Sequence, residues 1–230
     1  MRIIFVRHGH PNYKNDCLTE VGHEHAKAVA ARLSVEKIDK IYSSSCGRAV
    51  ETAAHIGSVQ GLDVEQCAFM REIGWGSLSG EPIEFSGHPW DTSDNMVARG
   101  QSIMCENWRK EEPFCANRII KSSKRIAGDF DAWLETLGYK REGEYYRVVN
   151  NNEDTVAMVS HAGASSAVLS HLFNLPLPFM CAAVKPEYTA VTIVSFNGEN
   201  GTLITPLFEL VNDARHIIGI GEDVKEKPDN

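Results

Sequence analysis

At 230 residues the chain has room for one large α/β domain or two small ones. Its 43% hydrophobic and 23% charged composition is that of a globular protein, and a net charge of −8 excludes a broad nucleic-acid footprint while leaving room for a local cationic pocket. No apolar run approaches the roughly 20 residues of a membrane span, and the apolar stretch of MRIIFVRHGH is too short for a signal peptide, so the expectation is a cytoplasmic protein with no membrane partner.

Taken in chain order, RIIFV (2–6) reads as a buried strand. LTEVGHEHAKAVAARL (18–33) reads as a helix with Thr19 as N-cap and Gly22, Ala26, Val29, Ala30 and Leu33 on one face. A second strand (37–44), a helix closed by Gly61 (46–61) and a short third strand (62–67) follow. Residues 81–116 hold Pro82, Pro89 and Pro113 with no clean periodicity, and read as a cap inserted over the sheet. A long helix (117–139) carries Ile119, Ile126, Phe130, Trp133 and Leu137 at helical spacing, ending at Gly138. TVAMVS (155–160) is a strand and GASSAVLSHLF (163–173) a helix. Residues 188–196 and 201–210 read as an antiparallel pair turning around Asn197-Gly198. The order predicts a three-layer α/β/α fold with a mostly parallel central sheet, an antiparallel edge and the inserted cap, as one domain over 1–220 with a charged, mobile tail at 221–230. The six cysteines (Cys17, Cys46, Cys67, Cys105, Cys115, Cys181) contain no C-x-x-C pair and read as free thiols.

The chemistry gathers at strand ends. Arg7 and His8 follow the first strand, the second runs through YSSSCGRA into Arg48, and TVAMVS ends in Ser160-His161. Ligands of open α/β sheets bind beyond the carboxyl ends of the strands. If these strands are neighbours, two imidazoles and two guanidiniums converge on one spot, a cluster that calls for an anion. Guanidinium suits a tetrahedral oxyanion, and the helix opening beside His161 adds backbone N–H groups. Taken singly, each residue has a plainer reading: a solvated strand edge for Arg7-His8, a helix-surface arginine for Arg48, a surface carboxylate for Glu72. His23, His25, His55 and His171 read as surface or core-edge residues.

Five segments in order strengthen the pattern. RHG (7–9), LTEVGHEHAKAVAARL, SSSCGRAVETA (43–53), MREIGWGSLSG (70–80) and SHAG (160–163) resemble the histidine phosphatase superfamily, also called phosphoglycerate mutase-like, and VNDARHI from Val211 is similar to its C-terminal segment. The resemblance implies a phosphomonoester hydrolase of the small, single-domain phosphatase branch. It implies His8 as nucleophile, Glu72 as proton donor and acceptor with Glu81 and Glu84 as rivals, and His161 as the second catalytic histidine. Arg7, Arg48 and His161 would hold the three non-bridging oxygens, with Gly9 and Ala162 also at the phosphate; His10 either touches substrate or caps its loop. The expected partners are a small phosphorylated substrate and inorganic phosphate as product, with no cofactor and no metal. GSLSG (76–80) departs from the family's G-x-W-E-G, putting Leu78 and Ser79 in the pocket wall. The 81–116 segment has seven acidic and three basic residues, a net of −4 that disfavours a second phosphate group. It therefore ranks mutase-type phosphoryl transfer below hydrolysis, although NWRKEE (107–112) faintly resembles a mutase segment that binds a substrate carboxylate. Two readings of other classes stand beside these: a metal-dependent hydrolase using His8 and His10, and a non-catalytic phosphate-binding module.

Overall fold

The computed structural model describes residues 1–221. The chain begins with β1 (Arg2–Arg7), a small hairpin of β2 (Pro11–Asn12) and β3 (Cys17–Leu18), and α1 (Glu20–Leu33). Next come β4 (Lys40–Ser43), α2 (Gly47–Gln60) and β5 (Val64–Gln66), then α3 (Pro89–Ala98) and α4 (Ile119–Thr136). The hairpin β6 (Tyr139–Glu142) and β7 (Tyr145–Val148) precedes β8 (Thr155–Ser160), α5 (Ala162–Leu172) and α6 (Leu177–Ala183). The chain closes with β9 (Val191–Ser195), β10 (Leu203–Ile204), β11 (Leu207–Asp213) and a 3-10 turn at Arg215–Ile217.

The central sheet has the order β11-β9-β1-β8-β4-β5. β1, β8, β4 and β5 run parallel, while β9 and β11 form the expected antiparallel edge. Alternation along the strands splits the core. Ile4 and Val6 of β1 with Ala157 and Val159 of β8 meet Val29, Ala30 and Leu33 of α1 and Ala49, Ala53 and Ile56 of α2. Ile3 and Phe5 with Val156 and Met158 meet Ile126 and Phe130 of α4 and Ala164 and Val168 of α5. Met96, Trp108 and Phe114 of the 81–116 segment join this second cluster, so the segment packs onto the sheet's own core.

Three local expectations are corrected. Residues 188–210 do not form a tight hairpin at Asn197-Gly198. β9 pairs with β11 from Ser195↔Leu207, and the intervening Leu203 and Ile204 pair with β7 in a separate sheet of order β10-β7-β6. The second of the two runs thus serves two sheets, and Gly198 lies so close to Ile204 that a Cβ there would meet its Cγ2 at 2.6 Å. The β6–β7 hairpin went unread because the long-helix reading ended on Tyr139, which is its first residue; Gly143, at φ 62°, makes its turn. The third is the start of α5, which begins at Ala162, one residue before the expected Gly163. The tail expected over 221–230 lies, from residue 222 on, outside the described residues. Among the described residues no helix is long and apolar enough to cross a membrane.

Candidate active site

β8 lies between β1 and β4, so the carboxyl ends of three adjacent parallel strands deliver His8, His161 and, through the first turn of α2, Arg48. Gly9 lets the loop after β1 close onto α1: a Cβ there would sit 2.5 Å from the carbonyl oxygen of Gly22. The Gly9 N–H donates to Thr52 Oγ1 at 3.1 Å, which gives it an internal partner in place of the phosphate contact expected from sequence.

His8 and His161 are 2% and 0% exposed, with ring centroids 5.1 Å apart. Arg48 sits between them. Its Nε donates to His8 Nε2 at 3.3 Å and its Nη2 to His161 Nδ1 at 3.1 Å. Because guanidinium is donor-only, both of those ring nitrogens carry lone pairs. The protons then lie on His8 Nδ1, which donates to the Gly9 carbonyl at 2.7 Å, and on His161 Nε2, which donates to Ser44 Oγ at 2.8 Å. Burial, then the charge of Arg7 and the nearness of His161, hold His8 well below the usual imidazole range. Burial and then Arg48 push His161 down to about 3. Both rings are therefore neutral at physiological pH.

The third donor of Arg48, Nη1, pairs with Asp16, whose other oxygen accepts the Gly47 N–H at 2.9 Å. Asp16 was not singled out from sequence. It stands in the turn between β2 and β3 at φ 49°, a left-handed conformation Asp tolerates better than most residues. Its carboxyl is lowered by the Gly47 N–H and Arg48, which outweigh the opposing and largest single effect, burial. Ser44 was likewise missed, although the SSS run ahead of Arg48 was the available signal.

Arg7 lies beside this group. Its Nη1 donates to the Pro186 carbonyl at 2.6 Å, its guanidinium stacks 4.0 Å over the Tyr188 ring, and its Nε is buried without a hydrogen-bond partner. Glu72 closes the far side. Its half-buried carboxyl accepts N–H groups from Ile73 at 2.9 Å, Ala164 at 2.9 Å and Gly163 at 3.3 Å. The first turn of α5 thus holds this carboxylate with two of the N–H groups that were expected to face a phosphate, and Ala162 is the helix's first residue. Burial raises the Glu72 pKa against those three donors and against Arg7. The rivals are placed elsewhere: Glu81 is exposed and Glu84 is exposed and paired with Arg99 at 2.8 Å.

His10 turns its Nδ1 to Thr19 Oγ1 at 2.9 Å, at the N-cap of α1, which is the loop-capping geometry. His25, read as a surface or core-edge residue, is 4% exposed and stacks at 6.0 Å on Tyr188, the ring that also borders His8 and His10. Among the described residues no group of three His, Cys, Asp or Glu side chains is placed to hold a metal ion. A cavity of about 980 Å3 lined by Glu20, His23, Lys27 and His55 lies apart from this centre and contains none of its residues.

Solved structures share the fold. A mycobacterial glucosyl-3-phosphoglycerate phosphatase solved with inorganic phosphate is 23% identical, with a TM-score of 0.62 over 94% of this chain and 98% of that one. A phosphoserine phosphatase from Entamoeba histolytica, solved with 3-phosphoglyceric acid, is 20% identical, with a TM-score of 0.61 over 94% and 98%. The protein YhfR of Bacillus stearothermophilus is 18% identical, with a TM-score of 0.56 over 89% and 95%. No curated protein sequence matches significantly. The family model for the histidine phosphatase superfamily (branch 1) matches residues 3–113 and 142–206, which contain every residue of the centre just described. By that match the chain belongs to the histidine phosphatase superfamily, branch 1.

Proposed function

We propose that the protein hydrolyses phosphomonoesters of small metabolites through a phosphohistidine formed on His8, with no metal or other cofactor, releasing an alcohol and inorganic phosphate. The observation that carries this reading is the state of the imidazoles. Two buried, neutral rings share one guanidinium, and the Nδ1–H of His8 is tied to a carbonyl so that Nε2 keeps its lone pair. A surface cluster of basic residues would have neither the burial nor the fixed tautomers. Family membership supports the same reading, as do the phosphoserine and glucosyl-3-phosphoglycerate phosphatases among the solved neighbours.

The chemistry follows from these contacts. The phosphoryl group enters between Arg7 and Arg48, and Arg48 exchanges its bond to His8 Nε2 for phosphoryl oxygens while Asp16 keeps hold of Nη1. His161, still bonded to Ser44, orients the same guanidinium. His8 Nε2 attacks phosphorus, the P–O ester bond breaks, and Glu72 gives its proton to the leaving oxygen. The Glu72 carboxylate then takes a proton from water, the water oxygen attacks phosphorus, and the P–N bond breaks. This returns neutral His8 and protonated Glu72. The arginines stabilise the equatorial oxygens in both steps.

The test is turnover of p-nitrophenyl phosphate in excess EDTA, with His8→Ala as control. The wild type turns over in chelator and yields an acid-labile, base-stable phosphoenzyme on quenching; His8→Ala does neither while retaining its fold. Near-wild-type turnover by His8→Ala, or activity lost in EDTA and restored by zinc or manganese, overturns the reading.

A further inference from the structure

The loop between α6 and β9, residues 184–190, has no helix or strand of its own, yet it makes close contacts with the catalytic centre. The Pro186 carbonyl accepts from Arg7 Nη1 at 2.6 Å. The Tyr188 ring lies 4.0 Å under the Arg7 guanidinium. The Thr189 N–H donates to the His8 carbonyl and the Arg7 N–H to the Ala190 carbonyl, both at 3.3 Å. Thr189 is fully buried at φ 53°, a left-handed conformation that β-branched residues rarely adopt and that persists only when the surroundings over-determine it.

The surroundings that do so come from the C-terminal segment. Asn212 accepts the Glu187 N–H at 3.1 Å and donates its Nδ2 to the Lys185 carbonyl at 2.8 Å, stapling the loop at two points. Asn212 is itself fixed by its backbone N–H, which donates to Thr192 Oγ1 at 3.0 Å. His216 Nδ1 accepts from Arg32 Nη1 at 3.4 Å, so its Nε2–H donates to Thr189 Oγ1 at 3.1 Å, and that hydroxyl donates to the Tyr188 carbonyl at 2.8 Å. Burial and Arg32 hold His216 down at about 4, which keeps this donor chain in one protonation state at neutral pH. Arg32 is anchored in turn by Asp213 at 2.8 Å.

We propose that Asn212 and His216 are positioning residues that lock the 184–190 loop against Arg7 and His8, and so set the geometry of phosphoryl transfer without touching the reacting groups. This rests on the phosphohistidine reading for its kinetic consequence, but the lock itself is a property of the loop. Removing Asn212 should free the Glu187 amide and, through the loop, the Thr189 amide bonded to His8. Arg7 then loses the carbonyl and ring that aim it.

The experiment compares Asn212→Gly, His216→Ala and His216→Gln with the wild type. Glycine tolerates the φ of 50° found at residue 212, so the first variant removes the staple without adding backbone strain. Hydrogen exchange at the Glu187 and Thr189 amides reads the lock directly; kcat/KM for p-nitrophenyl phosphate and the affinity for vanadate read the site. The expected result is faster exchange at both amides in Asn212→Gly and at Thr189 in His216→Ala. Both variants should lose about 10–100-fold in kcat/KM and in vanadate affinity, as a sub-ångström misplacement of a reacting group would cost. His216→Gln, which keeps an N–H donor, should recover most of the loss. Should His216→Ala fail to fold, Asn212→Gly carries the test alone. Unchanged exchange at Thr189 in the folded variants overturns the lock whatever the activity. Faster exchange with wild-type kinetics and vanadate affinity overturns its role in the site. A wild type that neither hydrolyses nitrophenyl phosphate nor binds vanadate sinks the proposed function instead, and leaves the lock to be decided by exchange.

Discussion

Replacing Glu72 by Gln separates proton transfer from binding. The side chain is half-buried and accepts three backbone N–H groups. A glutamine can keep its oxygen on Ile73 and Ala164, but its NH2 then faces the Gly163 N–H, two donors 3.3 Å apart. The lost bond costs about 1–2 kcal/mol. Against this stands relief from burying a carboxylate, whose pKa burial raises above 4.5. A carboxyl raised in the folded state stabilises it below the unfolded value, and that stabilisation is lost as pH rises through the folded pKa. Above that folded pKa the variant is relieved of an ionised carboxylate in a half-buried site. The two effects oppose, so Tm should move by no more than about 2–4 °C for each kcal/mol left over. Rate behaves differently. A general acid contributes roughly 10²–10⁴-fold, about 2.7–5.4 kcal/mol at 1.36 kcal/mol per decade. Steady-state kinetics on an alkyl phosphate should show that loss in kcat with inorganic phosphate still binding. The loss should shrink for p-nitrophenyl phosphate, whose leaving group barely needs a proton. The pH profile gives an independent check. His8 must be neutral and Glu72 protonated, and at ordinary values of 6.5 and 4.5 these forms scarcely coexist. Burial and then Arg7 lower His8 while burial raises Glu72, which opens a window between them. The alkaline limb of the wild-type profile should therefore be missing in Glu72→Gln. Equal losses for alkyl and nitrophenyl phosphates, or an alkaline limb that survives, would show that Glu72 is not the acid.

Asp16→Asn should lower kcat by unpinning Arg48 while leaving or tightening phosphate affinity, because a negative charge leaves the pocket; unchanged kcat would mean Arg48 needs no anchor. The same variant should resist acid better than the wild type relative to its own stability at pH 7. The lowered carboxyl contributes stability present above 3.8 and lost as pH falls through its folded value. Gly163→Ala places a Cβ 2.6 Å from Glu72 Oε1 and 2.9 Å from Ile73 Cγ1. It should destabilise by about 1–3 kcal/mol in urea titration and lower kcat as Glu72→Gln does, with the same leaving-group dependence. A stable variant that loses activity equally on all substrates would place the fault elsewhere than Glu72. Arg48→Ala should raise KM and weaken vanadate inhibition, and should raise the lowered pKa of His161, since the guanidinium beside the ring disfavours its protonated form; proton NMR titration of that ring reads this directly.

What could be read from the sequence was what repeats along the chain. Ile3 to Val6 and Val156 to Val159 are continuous apolar runs because both faces of β1 and β8 are covered, and a histidine or arginine straight after such a run is conspicuous. Their convergence was conditional on β1, β8 and β4 being neighbours, which local pattern does not reveal; the sheet order supplies it. Elements too short for a period were lost. α6 spans only Leu177–Ala183 with a proline inside, and β10 is two residues long. Residues that act through distant partners were lost for another reason. Asp16 lies in a polar KND run that looks like any turn, and its significance comes from Arg48, thirty-two positions away. Thr189 stands at the head of YTAVTIVSF, where a threonine announces a strand; its left-handed φ comes from His216 and from the His8 carbonyl. The residues legible in the sequence belong to the proposed reacting groups, whose type is dictated by chemistry. Those it hid hold the reacting groups in place, and their type is dictated by whichever backbone atom lies within reach. A histidine at 216 could be replaced by any side chain offering the same donor at the same point, whereas Asp16 uses both carboxylate oxygens, one on Arg48 and one on the Gly47 N–H. The test of that distinction is substitution by shape: His216→Gln should retain activity where His8→Gln does not, because the first position needs a donor alone and the second is the proposed nucleophile.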